Sequence, residues 1–332
     1  MQFIFTCQPS SSNIAVGELN KKDNSFEFTK WLDEGIGLAN TNLNSNEFAN
    51  LVKCSPIIFI RHIAKVDNTF NYNQNWKDEV LELAKQFLNK NKTFSIQLRH
   101  NKLSFNFSEI ISYLSTKIQE QGFCLDVKNS QQIISLFMDT NKIYFGISDV
   151  QHNLSKFKSG NPHYREEEDF ISRAEFKLTE ALDVFNIDLK DVKSAADFGS
   201  APGGWTKVLA KKGINVVSID PAKLDQSVLS LKNVTHKKMT IQEYFFHHNS
   251  VKFDMIVNDM KMDVKKSIEL SLNFFDKLNK NGILIMTFKL PKHYNLKFIE
   301  SNLNILLKKF NLISARQLFY NRSEITVALQ KN

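Results

Sequence analysis

Residues 197–222 read DFGSAPGGWTKVLAKKGINVVSIDPA, and this stretch decides the fold of the second half of the chain. A short apolar segment leads into glycines at 199, 203 and 204, an amphipathic helical segment follows, and a β-branched run then ends at Asp220. Glycine lets a backbone turn tightly and approach a ligand closely. The order strand, glycine loop, helix, strand is typical of the carboxyl edge of a doubly wound α/β sheet.

The acidic residue at the end of the second strand adds a binding function to this loop. A carboxylate at Asp220 can accept hydrogen bonds from both hydroxyls of a ribose. The spacing differs from G-x-G-x-x-G, and since Pro202 lies inside the loop and no Gly-Lys-Ser/Thr follows, we do not expect a P-loop. A purely structural turn is the alternative, but the strand, the helix and the second acidic strand end are all present. The pattern therefore predicts a nucleoside-binding loop.

Helical and strand patterns alternate from residue 171 to the end of the chain, which predicts a doubly wound α/β domain over residues 165–332. The expected strands are SAADFGS, NVVSID, FDMIVNDM, GILIMTFKL and EITVALQ, and the expected helices include SRAEFKLTEALDVF, GWTKVLAKKG, KKSIELSLNFFDKL and LKFIESNLNILLKKF. The carboxyl ends of such strands meet at one edge of the sheet, so residues far apart in sequence are expected to converge there.

Two smaller blocks precede this domain. Residues 1–66 contain the strand patterns FIFTC and SPIIFIRHIAKV around helical stretches and the turn-rich WLDEGIGLANTN, which predicts a small α+β unit. The asparagine-rich DNTFNYNQNW is expected to be a loop. Residues 78–150 then contain the strand TFSIQLR, a helix beginning at Asn106, the strand FCLDV and a hairpin, and a polar linker places a domain boundary near residues 150–165.

Composition limits the classes of protein that the chain can represent. It has 332 residues, 42% hydrophobic and 23% charged, as in ordinary globular proteins. Neither a membrane-spanning run nor a signal peptide is evident, so we expect a cytoplasmic protein. Cys7, Cys54 and Cys124 stand far apart, which favours buried small side chains over a disulfide framework or a zinc site. The net charge of +8 lies mostly in residues 161–332 and favours a polyanionic partner.

The hairpin segment IISLFMDTNKIYFGIS and the preceding LDVKNS resemble a THUMP domain. That resemblance implies an RNA-binding module over residues 78–150.

The motif D-x-G-x-x-P-G-G-W resembles the FtsJ-like class of S-adenosylmethionine-dependent methyltransferases. The resemblance implies a Rossmann-like methyltransferase domain that binds S-adenosylmethionine and needs no metal. The cofactor-binding residues that it implies are Ser172, Asp197, Gly199, Ser200, Ala201, Pro202, Gly203, Gly204, Trp205, Asp220, Thr240 and Asp259.

Ribose 2'-O-methyltransferases of this class carry a Lys-Asp-Lys-Glu tetrad. The segments SRAEFKLTEA, VNDM, FKLP and RSEITVAL are similar to the family's motifs and supply Lys177, Asp259, Lys289 and Glu324. Each residue alone has an ordinary structural explanation, such as a solvated surface lysine or a turn aspartate. For the four residues taken together, the resemblance implies that Lys289 is the general base, that Lys177 is a neighbouring cation and that the two acids orient them.

Within the class, SRAEFKLTEAL, DFGSAPGGWT, FKLPKHY and RQLFYNRSEITV are most similar to the bacterial 23S rRNA cytidine 2'-O-methyltransferases, which also carry a THUMP domain. Ribosomal RNA is therefore the expected partner, with no membrane partner and a monomer favoured. One departure concerns the cofactor: Thr240 stands where the family has an acidic residue, and Glu243 is a candidate to replace it.

The sequence bears on three other functions. Methylation of an exocyclic guanine amine would need an N/D-P-P-Y-like motif, whereas this chain has NDMKMD. A transfer-RNA ribose methyltransferase would share all of the chemistry, so the sequence leaves it open. A non-catalytic RNA-binding or ribosome-assembly factor on a methyltransferase fold is the third, and the intact tetrad argues against it.

Overall fold

The computed structural model describes residues 1–100 and 106–332, without the side chains of residues 53 and 54. It divides into two units, Met1–Pro162 and His163–Asn332. In these described ranges, no helix is both long and apolar enough to cross a membrane. Cys7 is buried as predicted, but the prediction was wrong for Cys124, which is exposed, and the side chain of Cys54 lies outside the described residues.

The first unit begins with a four-stranded antiparallel sheet. Its elements are β1 (Gln2–Thr6), α1 (Ser12–Lys22), β2 (Glu27–Asp33), β3 (Ile36–Asn40), α2 (Ser45–Cys54) and β4 (His62–Val66), and the strand order is β2-β3-β1-β4. The turn-rich stretch WLDEGIGLANTN contains the turn of the hairpin β2–β3, which lies at Gly35 with φ of 70°. Glycine suits β3 because the ring of Phe5 lies where a Cβ on Gly37 would be.

A second four-stranded sheet, of order β5-β8-β7-β6, completes the first unit. Its elements are β5 (Asn68–Asn71), α3 (Trp76–Phe87), β6 (Phe94–His100), α4 (Phe107–Glu120), β7 (Gln132–Met138) and β8 (Lys142–Asp149). Strand β5 lies in the predicted loop, because main-chain pairing with β8 outweighs its asparagine-rich composition. The predicted strand FCLDV makes only a single bridge, Leu125 to Phe94.

The second unit is built on a seven-stranded sheet of order β11-β10-β9-β12-β13-β15-β14. Strands β9 to β13 are parallel, and β15 runs antiparallel to both of its neighbours. The elements are α5 (Ala174–Val184), β9 (Ser194–Phe198), α6 (Gly204–Lys211), β10 (Asn215–Ile219), α7 (Gln226–Leu229), β11 (Val234–Lys237), α8 (Ile241–His247), β12 (Phe253–Asn258), α9 (Val264–Asn273), β13 (Leu278–Lys289), α10 (Leu296–Leu307), β14 (Phe310–Arg316) and β15 (Glu324–Lys331). The order of strands reverses between β9 and β12, where doubly wound folds bind ligands.

Helices cover both faces of this sheet. Leu178 of α5 and Leu209 of α6 pack with Val257 of β12 in one core cluster. On the other side, the ring of Phe198 stacks edge-on against Phe245 of α8. Strands β11 and β14 were not predicted, because both are outer strands of half-exposed residues with weak apolar alternation.

Candidate active site and cofactor site

Backbone geometry shapes the glycine loop between β9 and α6. Gly199 has φ of 67° and Gly203 has φ of 117°, in the left-handed region that favours glycine. The peptide bond between Ala201 and Pro202 is cis. A Cβ on Gly199 would overlap the side chain of Met260. The loop therefore needs glycine at these two positions of the motif.

Asp220 supports the same loop from the end of β10. Its Oδ2 accepts a hydrogen bond from the Ala201 amide at 3.0 Å, and its Oδ1 accepts one from the Ala222 amide at 2.7 Å. Each carboxylate oxygen has two acceptor positions, so each retains one. Both oxygens can still accept a ribose hydroxyl, the role predicted for Asp220.

A cavity of about 360 Å³ opens beside this loop. Among the predicted cofactor residues, Gly199 and Thr240 line it. The lining residues that sequence reasoning missed are Ile219, Pro221, Ile241, Gln242, Met260, Met262, Lys266 and Leu270. Most of them lie within five residues after the ends of β10, β11 and β12, and that position at the carboxyl edge is the signal that would have found them.

Three buried polar atoms near the loop have no hydrogen-bond partner in the described part of the chain: Oγ of Ser172, Oγ of Ser200 and Nε1 of Trp205. Leaving a buried polar atom unpaired costs about 1–3 kcal/mol. A Cβ on Gly204 would lie 2.8 Å from the Ser172 Oγ, so this hydroxyl comes directly against the loop. A largely apolar cavity, a free carboxylate and unpaired polar groups together fit S-adenosylmethionine, which has an adenine ring, ribose hydroxyls and a charged amino-acid end.

Asp197, the first residue of the motif, is only 2% exposed. Its Oδ2 accepts a hydrogen bond from Oγ1 of Thr206 at 2.7 Å. Burial raises its pKa to about 7, the Thr206 bond opposes this rise, and the nearby charges of Asp259 and Asp220 add to it. Asp197 therefore changes its protonation near neutral pH.

Thr240 begins α8 and forms a capping box with Glu243. The Thr240 amide and hydroxyl donate to Oε2 of Glu243 at 2.7 and 2.8 Å, and the Glu243 amide donates back to the hydroxyl at 3.2 Å. The bonds from the Thr240 backbone and hydroxyl hold the pKa of Glu243 below its ordinary value. A carboxylate thus lies beside Thr240, where the family has an acidic side chain, and its contact with the cofactor stays a prediction.

Lys177, Asp259, Lys289 and Glu324 form one cluster. The Nζ atom of Lys177 lies 2.5 Å from Oε1 of Glu324 and 3.2 Å from Oδ2 of Asp259. The Nζ atom of Lys289 lies 2.5 Å from Oδ1 of Asp259 and also contacts Oε2 of Glu324. Each ammonium bridges both carboxylates. The structure therefore brings all four predicted residues together, while their catalytic roles stay a prediction.

Sheet topology explains this convergence. Asp259 follows β12 and Lys289 ends β13, and these two strands are parallel neighbours. Glu324 begins β15 and is the direct register partner of Lys289 across the antiparallel pair. Lys177 reaches the same edge from the first turn of α5.

Sequence reasoning missed two residues that support the cluster. Oγ1 of Thr287, two residues before Lys289 on the same face of β13, donates to Oδ1 of Asp259 at 2.8 Å. Side chains of a strand alternate between its two faces, so a residue two positions before Lys289 lies on the same face, and this spacing could have identified Thr287. Glu180 is 1% exposed on α5, and an acidic residue on a buried helix face is the signal there.

Glu180 ties α5 to the chain before β15. Its Oε1 accepts a hydrogen bond from the Phe319 amide at 2.7 Å, and its Oε2 accepts one from the Tyr320 amide at 2.8 Å. Since α5 carries Lys177 and the tied segment leads to Glu324, these bonds hold the two partners of the cluster together.

The cluster is electrically balanced, with two ammonium groups and two carboxylates. Lys177 is 17% exposed and Glu324 is 7% exposed. Burial opposes the charged form of Lys177, but the carboxylates of Asp259 and Glu324 outweigh it and raise its pKa. Lys177 is therefore a stable cation at neutral pH. Across the residues that the structure describes, no group of three His, Cys, Asp or Glu side chains is placed to hold a metal.

Residues 170–321 match the model of the FtsJ-like methyltransferase family. The match covers the glycine loop, Lys177, Asp259 and Lys289, and it ends three residues before Glu324. It confirms the resemblance drawn from the sequence motifs and the Rossmann-like α/β fold of the second unit.

Curated relatives carry a more specific name. The chain is 31% identical over 204 residues to the "Ribosomal RNA large subunit methyltransferase M" of Psychromonas ingrahamii, over 58% of this chain and 54% of the relative. A protein of the same name from Aeromonas salmonicida is 29% identical over 207 residues, covering 58% of this chain and 55% of the relative. The chain spans about half the length of the curated relatives that it matches.

Among solved structures, TrmN from Thermus thermophilus aligns over 100% of both chains at 13% identity with a TM-score of 0.40. This similarity is too low to support a conclusion.

Proposed function

We propose that this protein is an S-adenosylmethionine-dependent RNA ribose 2'-O-methyltransferase that acts on cytidine in large-subunit ribosomal RNA. The observation that carries the proposal is the Lys177–Asp259–Lys289–Glu324 cluster at the carboxyl edge of the sheet, the edge that also holds the glycine loop. The names of the relatives support ribosomal RNA as the substrate. Such a substrate would place the protein in the cytoplasm.

The chemistry requires a base. S-adenosylmethionine, when bound, supplies an electrophilic methyl group on a sulfonium. A ribose 2'-hydroxyl is a weak nucleophile and must lose its proton as it attacks. The Lys289 ammonium first gives up a proton to solvent, and its neutral Nζ then takes the proton of the hydroxyl.

The other members of the cluster orient this step. Asp259 and Glu324 both contact the Lys289 Nζ, so they fix its direction and stabilise the ammonium that forms. Lys177 keeps its proton because its pKa is raised. It supplies a fixed positive charge to the ribose or to an adjacent phosphate.

For the rest of the chain, we propose an N-terminal α+β unit at residues 1–66 and a THUMP-like RNA-binding domain at residues 78–150, ahead of the methyltransferase domain at residues 165–332. Two observations support this division. The first unit contains two separate four-stranded sheets, and the segment that resembles a THUMP domain forms the hairpin β7–β8. RNA binding by a monomer is expected to use both this domain and the basic second unit.

The decisive experiment maps 2'-O-methyl groups in RNA from cells with and without the gene. The purified protein is then incubated with unmodified ribosomal RNA, with transfer RNA and with S-adenosylmethionine, and Lys289→Ala serves as the matched control. We expect 2'-O-methylcytidine at a large-subunit site only with the unchanged protein. Methylation of transfer RNA alone would identify transfer RNA as the substrate. RNA binding without methyl transfer would indicate a non-catalytic RNA-binding factor.

A further inference from the structure

Arg99, near the end of β6, is a buried cation whose hydrogen-bond partners are polar side chains. It is 4% exposed. Its Nε donates to Oγ of Ser159 at 2.6 Å, and its Nη2 donates to Oε1 of Gln97 at 3.2 Å and lies 3.1 Å from Nδ1 of His62. Its Nη1 has no partner in the described part of the chain. Buried charges are normally paired with an opposite charge, and among the described residues no carboxylate forms an ion pair with Arg99.

A second cation lies close to Arg99. Lys158 precedes Ser159, and burial together with the charge of Arg99 lowers its pKa. Lys156 is exposed two residues earlier, and its carbonyl oxygen accepts a hydrogen bond from Nε2 of Gln97 at 2.9 Å. In the described ranges, neither lysine forms an ion pair with an acidic side chain. We call residues 156–160 the basic turn.

The basic turn is held in a strained conformation. Ser159 has φ of 58°, in the left-handed region that non-glycine residues rarely adopt. Oγ1 of Thr6 donates to the Ser159 carbonyl oxygen at 2.7 Å. A Cβ on Gly160 would lie 2.7 Å from Cβ of Arg61, so the turn lies directly on the strands beneath it. Strained residues of this kind collect at ligand sites, where the surrounding structure holds them.

An aromatic pair adjoins the two cations. The ring of His100 stacks on Phe107 at 3.7 Å between centroids. Burial and the charge of Lys158 lower the pKa of His100, while Asp33 acts in the opposite direction. His100 is thus close enough to Lys158 to sense its charge.

We infer that the basic turn and Arg99 form a binding site for a backbone phosphate of the RNA substrate. An anion here would neutralise the mutual repulsion of Arg99 and Lys158 and could bond the free Nη1 after a small movement of the turn. The exposed lysines and the adjacent aromatic pair favour a phosphate within a polynucleotide over a free ion, because they offer contacts beyond a single anion. This inference rests on the proposed function, and it places an RNA contact in the first unit.

The test compares two double variants of the full chain. Lys156→Ala/Lys158→Ala removes the exposed charges of the basic turn, and Lys21→Ala/Lys30→Ala removes two exposed lysines of the same unit that lie outside the proposed THUMP-like domain. Affinity for a single-stranded ribosomal RNA fragment is measured over a series of salt concentrations. Each lost phosphate contact should reduce the slope of log affinity against log salt by about 0.7, so the basic-turn variant should lose about 0.7 and the control almost nothing. Equal slopes in both variants would overturn the inference.

A second measurement distinguishes a phosphate of RNA from free inorganic phosphate as the ligand of this site. NMR titration of the His100 ring in the unchanged protein is repeated with the RNA fragment and with inorganic phosphate alone. The pKa of His100 should rise with RNA, because a bound phosphate offsets the charge of Lys158. A rise with inorganic phosphate and none with RNA would make this a free-anion site, and no rise with either would remove the site.

The same samples keep this inference distinct from the proposed function. If the unchanged protein methylates the RNA and the basic-turn variant matches the control in affinity and salt slope, only the phosphate site is wrong. If the unchanged protein neither binds nor methylates RNA, the proposed function itself fails.

Discussion

Lys289 and Glu324 are direct partners in the antiparallel register of β13 and β15, and their side chains meet at the carboxyl edge of the sheet. The ion pair is thus set by strand pairing, which leaves the Nζ of Lys289 little freedom of position. Asp259 approaches the same Nζ from the neighbouring parallel strand. A base held by two backbone elements in this way is suited to take a proton from one defined hydroxyl.

Replacement of Lys289 tests the base directly. Lys289→Ala should abolish methyl transfer and leave the affinity for S-adenosylhomocysteine nearly unchanged, because the partner of Lys289 is the ribose hydroxyl. Lys289→Arg should fail as well, since a guanidinium does not lose its proton near neutral pH. General-base catalysis contributes roughly 10²–10⁴ in rate, which sets the minimum loss in single-turnover assays. A Lys289→Arg enzyme with near-normal turnover would rule out the lysine-base mechanism.

Glu180 should affect the rate of methyl transfer only by holding Lys177 and Glu324 in position. Glu180→Ala leaves the Phe319 and Tyr320 amides without their acceptor and should destabilise the fold by about 1–3 kcal/mol, the cost of an unpaired buried group. It should also lower kcat more than it raises KM, because Lys177 and Glu324 separate. Glu180→Gln keeps one acceptor oxygen and should recover part of both losses.

Thermal unfolding and steady-state kinetics on the same samples check this prediction. Loss of stability with an unchanged kcat in both variants would show that Glu180 serves the fold only.

Asp220 should determine cofactor affinity. Asp220→Ala removes the acceptor of the Ala201 amide and the predicted ribose contact, so we expect binding to weaken by about 1–3 kcal/mol. Calorimetry with S-adenosylhomocysteine measures this change, and Asp225→Ala, a nearby exposed helix cap, is the matched control. An affinity equal to that of the control would place the ribose elsewhere.

Much of the site was predictable because the sequence signals were local. The ends of β10, β12 and β13 follow from β-branched and apolar runs, so the sequence alone assigns Asp220, Asp259 and Lys289 to one sheet edge. Thr287 and Glu180 could not be assigned in this way, because their roles depend on a partner 28 residues away in one case and 139 or 140 in the other.

The fold shows the same division between local and long-range signals. The sequence marked the region of the hairpin β2–β3 only as turn-rich, because Gly37 there serves the packing of Phe5, which only the folded sheet shows. Strand β5 was missed because its pairing with β8, and not its own composition, makes it a strand.

Asp197 predicts an unusual dependence of stability on pH. Its pKa is raised from 3.8 to about 7 in the folded protein, so the folded state holds a proton that the unfolded state has lost. Stability should therefore fall as pH rises from about 4 to about 7, by on the order of 1.4 kcal/mol for each pH unit in that window. Asp197→Asn, which mimics the protonated form, should flatten this decline and be more stable than the unchanged protein at pH 8.

Asp254 serves as a control, because its pKa is shifted in the opposite direction from that of Asp197. Bonds from Asn279, Lys193 and Ser194 outweigh its burial and lower its pKa, so its contribution to stability is present above about pH 4 and is lost only at lower pH. Asp254→Asn should thus reduce the melting temperature by a similar amount at every pH from 5 to 8. Melting curves of the ligand-free protein across that range separate the two variants. If the stability of Asp197→Asn falls with pH as steeply as that of the unchanged protein, the carboxyl group of Asp197 is already ionised at pH 5. The cofactor loop would then contain no group that titrates near neutral pH.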